Sequence, residues 1–202
     1  PQALPGPVDM AAVIQTLQRL LPPDAALANG AGNFASWAHR FFRYHGLGKG
    51  LKTQLAPTSG AMGYGVPAAI ACAITTGRTV VALTGDGDFM MTGQELATAR
   101  QYGARLVVVL LNNGVYGTIR MHQAREYPHR QAGSMLTNPD FVRLAESHGL
   151  AGERVERTEQ FEPALRAALA RADSTLIEIA LSEQVITTRT TLEAIESRGV
   201  QR

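Results

Sequence analysis

Continuously apolar runs alternate along this chain with segments in which apolar residues recur every three or four positions. The runs at 25–28, 79–83, 106–111 and 176–181 are typical of parallel strands that are buried on both faces of a sheet. The segments between them predict helices, because residues three and four positions apart share one face of a helix. Strands and helices that alternate without an internal repeat predict an α/β fold, with a doubly wound, mostly parallel sheet and helices on both faces.

Capping residues predict where several helices begin. Asp9 is placed to cap the first helix, and the sequence Thr-Gly-Gln-Glu at 92–95 predicts a capping box that opens another. Asn138 followed by Pro139 predicts a third start, with Asn138 as the N-cap and Pro139 in the first turn. The polar stretch 116–130 shows no long apolar periodicity.

Length and composition are those of one substantial domain, with 202 residues of which 45% are hydrophobic. We expect a proline-rich linker at 1–7, the domain at 8–186, and a polar tail at 187–202 that either closes over the site or is disordered. The single cysteine, Cys72, lies in an apolar helical stretch and is interpreted as a buried structural thiol rather than a catalytic one.

Several classes of protein are excluded by charge and hydropathy. The net charge is only +2 and the basic residues are scattered, so we expect no nucleic-acid partner. No apolar run approaches the ~20 residues of a bilayer-spanning helix, and no signal-peptide pattern is visible at the N-terminus. We therefore expect a cytoplasmic protein that acts on small molecules and does not contact a membrane.

Two neighbouring predicted strands each end in a polar motif. Gly85-Asp86-Gly87 follows the strand at 79–83, and Asn112-Asn113 follows the strand at 106–111; the residues between the motifs suffice for one helix and one strand. Carboxyl ends of parallel strands meet at one edge of a sheet, where ligand groups gather. Carboxylate and amide oxygens there suit a Mg²⁺ ion that carries a diphosphate.

Each motif also has a simpler interpretation. Asp86 could cap an ordinary strand-to-helix turn, and adjacent asparagines could form a turn. A phosphatase-like pair of Asp86 and Asp88 is a further alternative, whereas no G-x-G-x-x-G pattern supports nicotinamide binding here. The spacing of the two motifs favours the metal and diphosphate, because two separate loops then supply oxygen ligands to one point.

Two further loops are rich in glycine and stand before predicted helices, at 58–65 and 29–34. Met62 lies in the first of them among nearby glycines, which is an unusual place for a residue that only fills the core. With the two strand-end motifs, these loops resemble those of the thiamine diphosphate (ThDP)-dependent enzymes of the acetohydroxyacid synthase, pyruvate oxidase and benzoylformate decarboxylase type. The stretch 88–99 is most similar to the large subunit of acetolactate synthase.

The resemblance assigns roles to individual residues. It implies that Asp86, Asn113 and the main-chain carbonyl of Val115 hold Mg²⁺, and that Met62 wedges beneath the cofactor. The loop at 58–65 would bond the aminopyrimidine through the Gly60 carbonyl and the Met62 amide. The residues that the resemblance assigns to cofactor binding are Asn33, Gly60, Met62, Gly85, Asp86, Gly87, Asp88, Phe89, Asn113, Val115, Tyr116 and Gly117.

The resemblance runs from Val8 to about Leu192 and covers only the diphosphate-binding domain of such enzymes. Their pyrimidine-binding domain supplies a glutamate from a partner subunit, and no residue here matches it. We therefore expect this chain to be inactive alone and to work in a homodimer or tetramer with that domain.

The resemblance implies a small 2-keto acid as the substrate of the whole enzyme. His122 stands where many biosynthetic relatives carry a tryptophan, and it is either a substrate contact or a solvated loop residue. The stretch 116–120 is also similar to benzoylformate decarboxylase, so a 2-keto acid decarboxylase stays an alternative to acetolactate synthase. A non-catalytic cofactor-binding module is the third possibility.

Overall fold

A fully parallel six-stranded sheet lies at the centre of the protein, here described from a computed structural model over residues 4–46, 48 and 50–199. The strands are β1 (Ala26–Asn29), β2 (Gln54–Leu55), β3 (Val80–Gly85), β4 (Val107–Asn112), β5 (Ala151–Val155) and β6 (Thr175–Ala180). Their order across the sheet is β2-β1-β3-β4-β6-β5. The predicted α/β fold is confirmed, and every pair of neighbouring strands is parallel.

Nine helices accompany these strands in the described part of the chain. They are α1 (Met10–Leu20), α2 (Ala35–Phe41), α3 (Gly65–Thr76), α4 (Asp86–Phe89), α5 (Leu96–Gln101), α6 (Gly117–Glu126), α7 (Phe141–Ser147), α8 (Thr158–Ala170) and α9 (Leu192–Gly199). Helices α1, α2 and α8 pack on one face of the sheet, and α3, α5 and α7 on the other. Within the described ranges, no helix combines the length and the apolar character that crossing a membrane requires.

Alternate residues of each central strand serve the two cores. Val81 and Leu83 of β3 belong to the cluster with α1, α2 and α8, whereas Val80 and Ala82 face α3, α5 and α7. All four are at most 1% exposed. Burial on both faces explains why the central strands are continuously apolar in sequence.

The chain reverses its direction of travel across the sheet between β1 and β3. It passes from β1 outward to β2 and then returns to place β3 on the other side of β1. The helix after β1 packs on one face and the helix α5 after β3 on the other. Connections that leave to opposite faces open a crevice at the carboxyl ends of the strands, the usual ligand site in such sheets.

Two of the three predicted helix starts differ in the structure. Asp9 caps α1 as expected, because its carboxylate accepts a hydrogen bond of 2.8 Å from the Ala11 amide. The capping box at 92–95 is wrong: the Thr92 hydroxyl donates to the Gly63 carbonyl at 2.7 Å, and Gly93–Glu95 form a 3₁₀ turn before α5. Asn138 is not the N-cap of α7, since Asp140 holds that position.

Three elements are not predicted by the pattern of apolar residues in the sequence. Strand β5 lies at an edge of the sheet with exposed Glu153 and Arg154, so it lacks the apolar run of the other strands. Helix α6 has no apolar stripe, and α9 lies in the segment expected to be a polar tail. These two helices contact each other through Ala124 and Ile195, with Ile186 in the same small cluster.

Candidate functional site

A cleft opens at the carboxyl edge of the sheet, between the loops that follow β1, β3 and β4. It encloses about 630 Å³, a volume that includes space open to solvent. Ten of the residues predicted to bind cofactor line it: Asn33, Met62, Gly85, Asp86, Gly87, Asp88, Asn113, Val115, Tyr116 and Gly117. Two predicted residues, Gly60 and Phe89, are not among its lining residues.

Asp86 is the first residue of the single-turn helix α4 and is only 3% exposed. Its Oδ2 accepts hydrogen bonds of 2.8 Å from the Gly114 amide and from Nδ2 of Asn138. Burial raises the pKa of this carboxyl, and those hydrogen bonds, together with the Asp86 and Gly87 amides, oppose the rise. No Lys, Arg or His of the described residues forms an ion pair with Asp86. A buried carboxylate without a countercharge suits a bound cation.

The loop after β4 offers two more oxygen atoms. Its shape is fixed by an isolated antiparallel bridge between Val115 and Met135, and the Asn113 Oδ1 accepts from the Val115 amide at 3.3 Å. Val115 is 2% exposed, yet its carbonyl oxygen accepts no hydrogen bond within the described part of the chain. A carbonyl at the wall of a cleft that accepts no hydrogen bond from the protein is available to water or to a ligand, a cation included. The donor set therefore fits the predicted metal ion.

Asp88, two residues further, is held by the protein itself. Its carboxylate accepts hydrogen bonds from the Thr84 hydroxyl at 2.6 Å, the Gly63 amide at 2.9 Å and the Ala31 amide at 3.1 Å. Burial raises the pKa of Asp88, and these donors oppose the rise. The side chain thus joins β3 to the loops after β1 and before α3, and an added Cβ on Gly30 would lie 1.8 Å from its Oδ2.

The glycines that flank Asp86 allow aromatic rings to approach closely. A Cβ on Gly85 would lie 2.8 Å from the Phe34 ring, and one on Gly87 would lie 2.5 Å from the Tyr116 ring. Neither glycine has a positive φ, so the requirement at both positions is for space and not for a left-handed backbone.

The predicted pyrimidine loop is anchored beside the cleft. The Gly63 amide donates to Asp88, and the Gly63 carbonyl accepts from Thr92, so the residue after Met62 is fixed at both polar groups. Met62 lines the cleft and is 38% exposed. Gly60 has a φ of +69° and lies three residues before this anchor.

Two candidate residues lie away from the cleft. Phe89 is fully buried in the core, where its ring meets Phe141 edge to face at 5.6 Å between centroids. His122 is exposed on α6 and does not line the cleft. Neither position brings a side chain to Asp86.

Asn138 is the site residue that sequence reasoning missed. The Asn-Pro pair was interpreted as a helix start, but Asp140 accepts the Arg143 amide at 3.1 Å and caps the helix instead. A second capping residue two positions after Asn138 was the available signal that Asn138 is free for another role. The apolar wall of the cleft was also not predicted; it includes Phe34, Trp37, Val185 and Ile186.

Comparisons with known proteins all indicate the same family. Residues 30–179 match the family described as "Thiamine pyrophosphate enzyme, C-terminal TPP binding domain". The acetolactate synthase of Mycobacterium bovis is 37% identical over 171 residues, which are 82% of this chain and 27% of that protein. The acetolactate synthase isozyme 3 large subunit of Escherichia coli is 37% identical over 160 residues, 78% of this chain and 27% of the relative.

A more distant relative extends the match. The mitochondrial acetolactate synthase of Schizosaccharomyces pombe is 31% identical over 179 residues, 85% of this chain and 26% of that protein. The chain thus spans about a quarter of the length of the curated relatives it matches.

Proposed function

The chain belongs to the thiamine pyrophosphate enzymes, as a C-terminal TPP-binding domain, and on this premise we propose that it binds Mg²⁺–thiamine diphosphate. It would serve as the diphosphate-binding half of an enzyme that decarboxylates and ligates 2-keto acids, most like acetolactate synthase. The observation that carries the proposal is the buried Asp86 carboxylate, which lacks a cationic partner among the described residues. It lines one cleft with Val115, whose carbonyl accepts no hydrogen bond from those same residues.

The metal would be held by three oxygen donors. Asp86 supplies a charged oxygen, the Asn113 side chain a neutral one, and the Val115 main chain a carbonyl. Hard oxygen ligands of this kind, completed by the cofactor's phosphates and water, are what Mg²⁺ prefers. A full negative charge at Asp86 is then compensated, which removes the cost of its burial.

The remaining walls of the cleft suit an organic cofactor. Phe34, Trp37 and Ile186 present apolar surface. Asn33 also lines the cleft, and its amide is held by hydrogen bonds with Thr118 and Met121. When bound, thiamine diphosphate supplies an electron sink for cleavage next to a carbonyl. This chain's own residues would bind the diphosphate, support the cofactor at Met62 and exclude water from the apolar wall.

We propose that the pyrimidine-binding domain of a partner subunit completes the site in a homodimer or tetramer. Met62, Met90 and Met91 stand 38%, 49% and 46% exposed on loops at or next to the cleft, so apolar surface is available there. The chain alone should convert no pyruvate, and activity should appear only when a polypeptide with the pyrimidine-binding domain is added. His122 would reach substrate only where the completed site extends over α6.

Calorimetric titration with thiamine diphosphate tests the proposal. The full chain, with the pyrimidine-binding polypeptide added if it is required, should bind thiamine diphosphate in the presence of Mg²⁺ and lose that binding with EDTA. Asp86→Ala should weaken Mg²⁺-dependent binding by more than about a hundredfold, since loss of outer-shell partners alone costs about 10–100-fold.

Asp173→Ala is the matched control, because Asp173 is exposed next to the start of β6, at the other end of the strands. It should bind like the unmodified chain. Equal affinity of Asp86→Ala and the unmodified chain would refute the metal assignment.

A further inference from the structure

A line of hydrogen bonds runs from Asp86 across the ends of β4 and β6 to the edge of the sheet. Nδ2 of Asn138 donates to Asp86 Oδ2 at 2.8 Å and to Asn112 Oδ1 at 2.9 Å. Asn112 Nδ2 donates to Glu178 Oε1 at 2.8 Å, and Arg154 Nε donates to Glu178 Oε2 at 2.9 Å. We call these four residues, Asn138, Asn112, Glu178 and Arg154, the amide relay.

The carboxylates of Asp86 and Glu178, on either side of the two amides, fix how Asn138 and Asn112 are turned. Glu178 can only accept while it is ionised, so Asn112 must turn its amino group toward Glu178 and its oxygen toward Asn138. Asn138 then faces an oxygen of Asn112 and an oxygen of Asp86. Both N–H groups of Asn138 are used, one on each, and no other orientation of the two amides satisfies all four residues.

The buried end of the relay is an ion pair. Glu178 is only 2% exposed, and an ionised carboxylate at such a position needs a partner. Arg154 supplies it, and the same guanidinium group lies 3.7 Å from Asp140, the cap of α7. The relay is therefore anchored on two neighbouring elements of the edge, β5 and α7.

We infer that Asn138 positions Asp86 for the metal by occupying its Oδ2, and that Asn112, Glu178 and Arg154 keep the Asn138 amide turned toward it. Both hydrogen bonds of 2.8 Å, from Asn138 and from the Gly114 amide, fall on Oδ2. Neither of these bonds engages Oδ1; the Asp86 and Gly87 amides of the same turn also act on the carboxylate, and Oδ1 is the oxygen left for the cation. This inference rests on the proposed function, because it presumes that Asp86 is a metal ligand.

If Asn138 had a purely structural role, its removal would affect stability and not the metal. Asn138 also lies in the loop between Leu136, whose amide donates to Gly114, and the cap of α7. If it only held that loop, its loss would lower stability and leave the geometry at a bound metal unchanged. A spectroscopic readout of the metal separates the two roles.

The test uses Mn²⁺ in place of Mg²⁺, with thiamine diphosphate, on the full chain under the conditions in which the unmodified chain binds. Electron paramagnetic resonance gives both the fraction of Mn²⁺ bound and, from its zero-field splitting, the symmetry of the ligands. We expect Asn138→Ala to weaken Mn²⁺ binding about 10–100-fold and to change the splitting. Urea unfolding of the metal-free variant checks that it is folded.

Glu178→Gln and Glu156→Gln form a matched pair at the far end. Both residues line the open groove beside Arg154, but Glu156 is exposed and takes no part in the relay. Glu178→Gln should weaken Mn²⁺ binding severalfold and change the splitting in the same sense as Asn138→Ala, whereas Glu156→Gln should do neither.

The outcomes separate this inference from the proposed function. If the unmodified chain binds no metal with thiamine diphosphate, the proposed function fails. If it binds, and Asn138→Ala binds Mn²⁺ with the same affinity and splitting, the inference is overturned while the proposed function stands. Should Asn138→Ala fail to fold, Glu178→Gln decides in the same way, and an unchanged splitting there overturns the inference.

Discussion

The two sides of the α4 turn hold the same chemical group in opposite ways. Asp86 and Asp88 both line the cleft and each is 3% exposed, but Asp88 also bonds to the loops after β1 and before α3. Burial raises the pKa of both carboxyls. Asp88 accepts hydrogen bonds at both oxygens, from Thr84 of β3 and from the loops after β1 and before α3. The two hydrogen bonds that Asp86 accepts from other segments fall on a single oxygen, and the Asp86 and Gly87 amides of its own turn act on the same carboxylate.

This difference indicates which carboxylate is available to a ligand. An acidic residue whose oxygens are satisfied by the protein stabilises the fold, and one with an oxygen left over can bind a cation. Burial and the direction of the pKa shift are the same for Asp86 and Asp88. The two carboxylates differ in which of their oxygens accept hydrogen bonds from other segments of the chain.

The largest expected effect comes from removing the Asp88 carboxylate. Asp88→Ala leaves the Thr84 hydroxyl and the Gly63 and Ala31 amides without their acceptor, so the free energy of unfolding should fall by roughly 3–5 kcal/mol. Urea denaturation of the metal-free protein, followed by circular dichroism, measures it.

Asp86→Ala is the matched control for that experiment. It should change the metal-free stability by less than about 1 kcal/mol, because losing two hydrogen bonds is offset by losing a desolvated charge. Equal losses of unfolding free energy in the two variants would mean that both carboxylates support the fold to the same extent. The distinction between Asp86 and Asp88 would then be wrong.

A smaller effect should follow from crowding Asp88. Gly30→Ala would place a Cβ 1.8 Å from Asp88 Oδ2, so stability should fall by about 2–3 kcal/mol. Gly48→Ala, which meets no atom within 4 Å, should stay within about 0.5 kcal/mol.

The double variant Gly30→Ala/Asp88→Ala tests whether the loss at Gly30 comes from the contact with Asp88. In the Asp88→Ala background the clash is gone, so Gly30→Ala should cost much less than it does alone. Additive losses would show that Gly30 is required for another reason.

The smallest effect concerns a carboxylate on the surface. Hydrogen bonds from Arg19 and Arg166 lower the pKa of Glu162 to about 2, the opposite direction to Asp86 and Asp88. Since the folded pKa lies below the ordinary value of 4.5, this contribution is present above pH 4.5 and is lost as the pH falls toward 2.

Glu162→Gln should therefore lower the thermal midpoint slightly at pH 7 and progressively less at pH 4 and pH 3. The effect is small because the side chain is 37% exposed and its pairs with arginine are screened by solvent. A pH-independent difference would assign the loss to packing and not to charge.

The sequence was most informative where apolar pattern and polar motif coincide. The runs at 79–83 and 106–111 correspond to β3 and β4, which are neighbours in the sheet, and this adjacency brings Asp86 to the Gly114 amide. The resemblance to thiamine diphosphate enzymes is confirmed by the family match. The individual roles of Asp86, Asn113 and Val115 stay predictions.

What the sequence did not reveal depends on contacts between distant segments. Asn138 lies 52 positions from Asp86 in the chain, and its local sequence favours a helix cap equally well. Asp88 looks like a second ligand in the motif, and only the loops around it show that its oxygens are taken. Edge strand β5 and helix α6 lack apolar periodicity because one or more of their faces meet solvent.

The two edges of the sheet also limit how copies of this domain can associate. Strand β2 is only two residues long, and β5 carries exposed Glu153 and Arg154. An approaching strand would find few free backbone groups on the first and charged side chains on the second, which are common protections against edge-to-edge pairing. A fully parallel sheet that stops in this way disfavours β-augmentation and growth into fibres, which leaves helices and loops as the surfaces open to a partner.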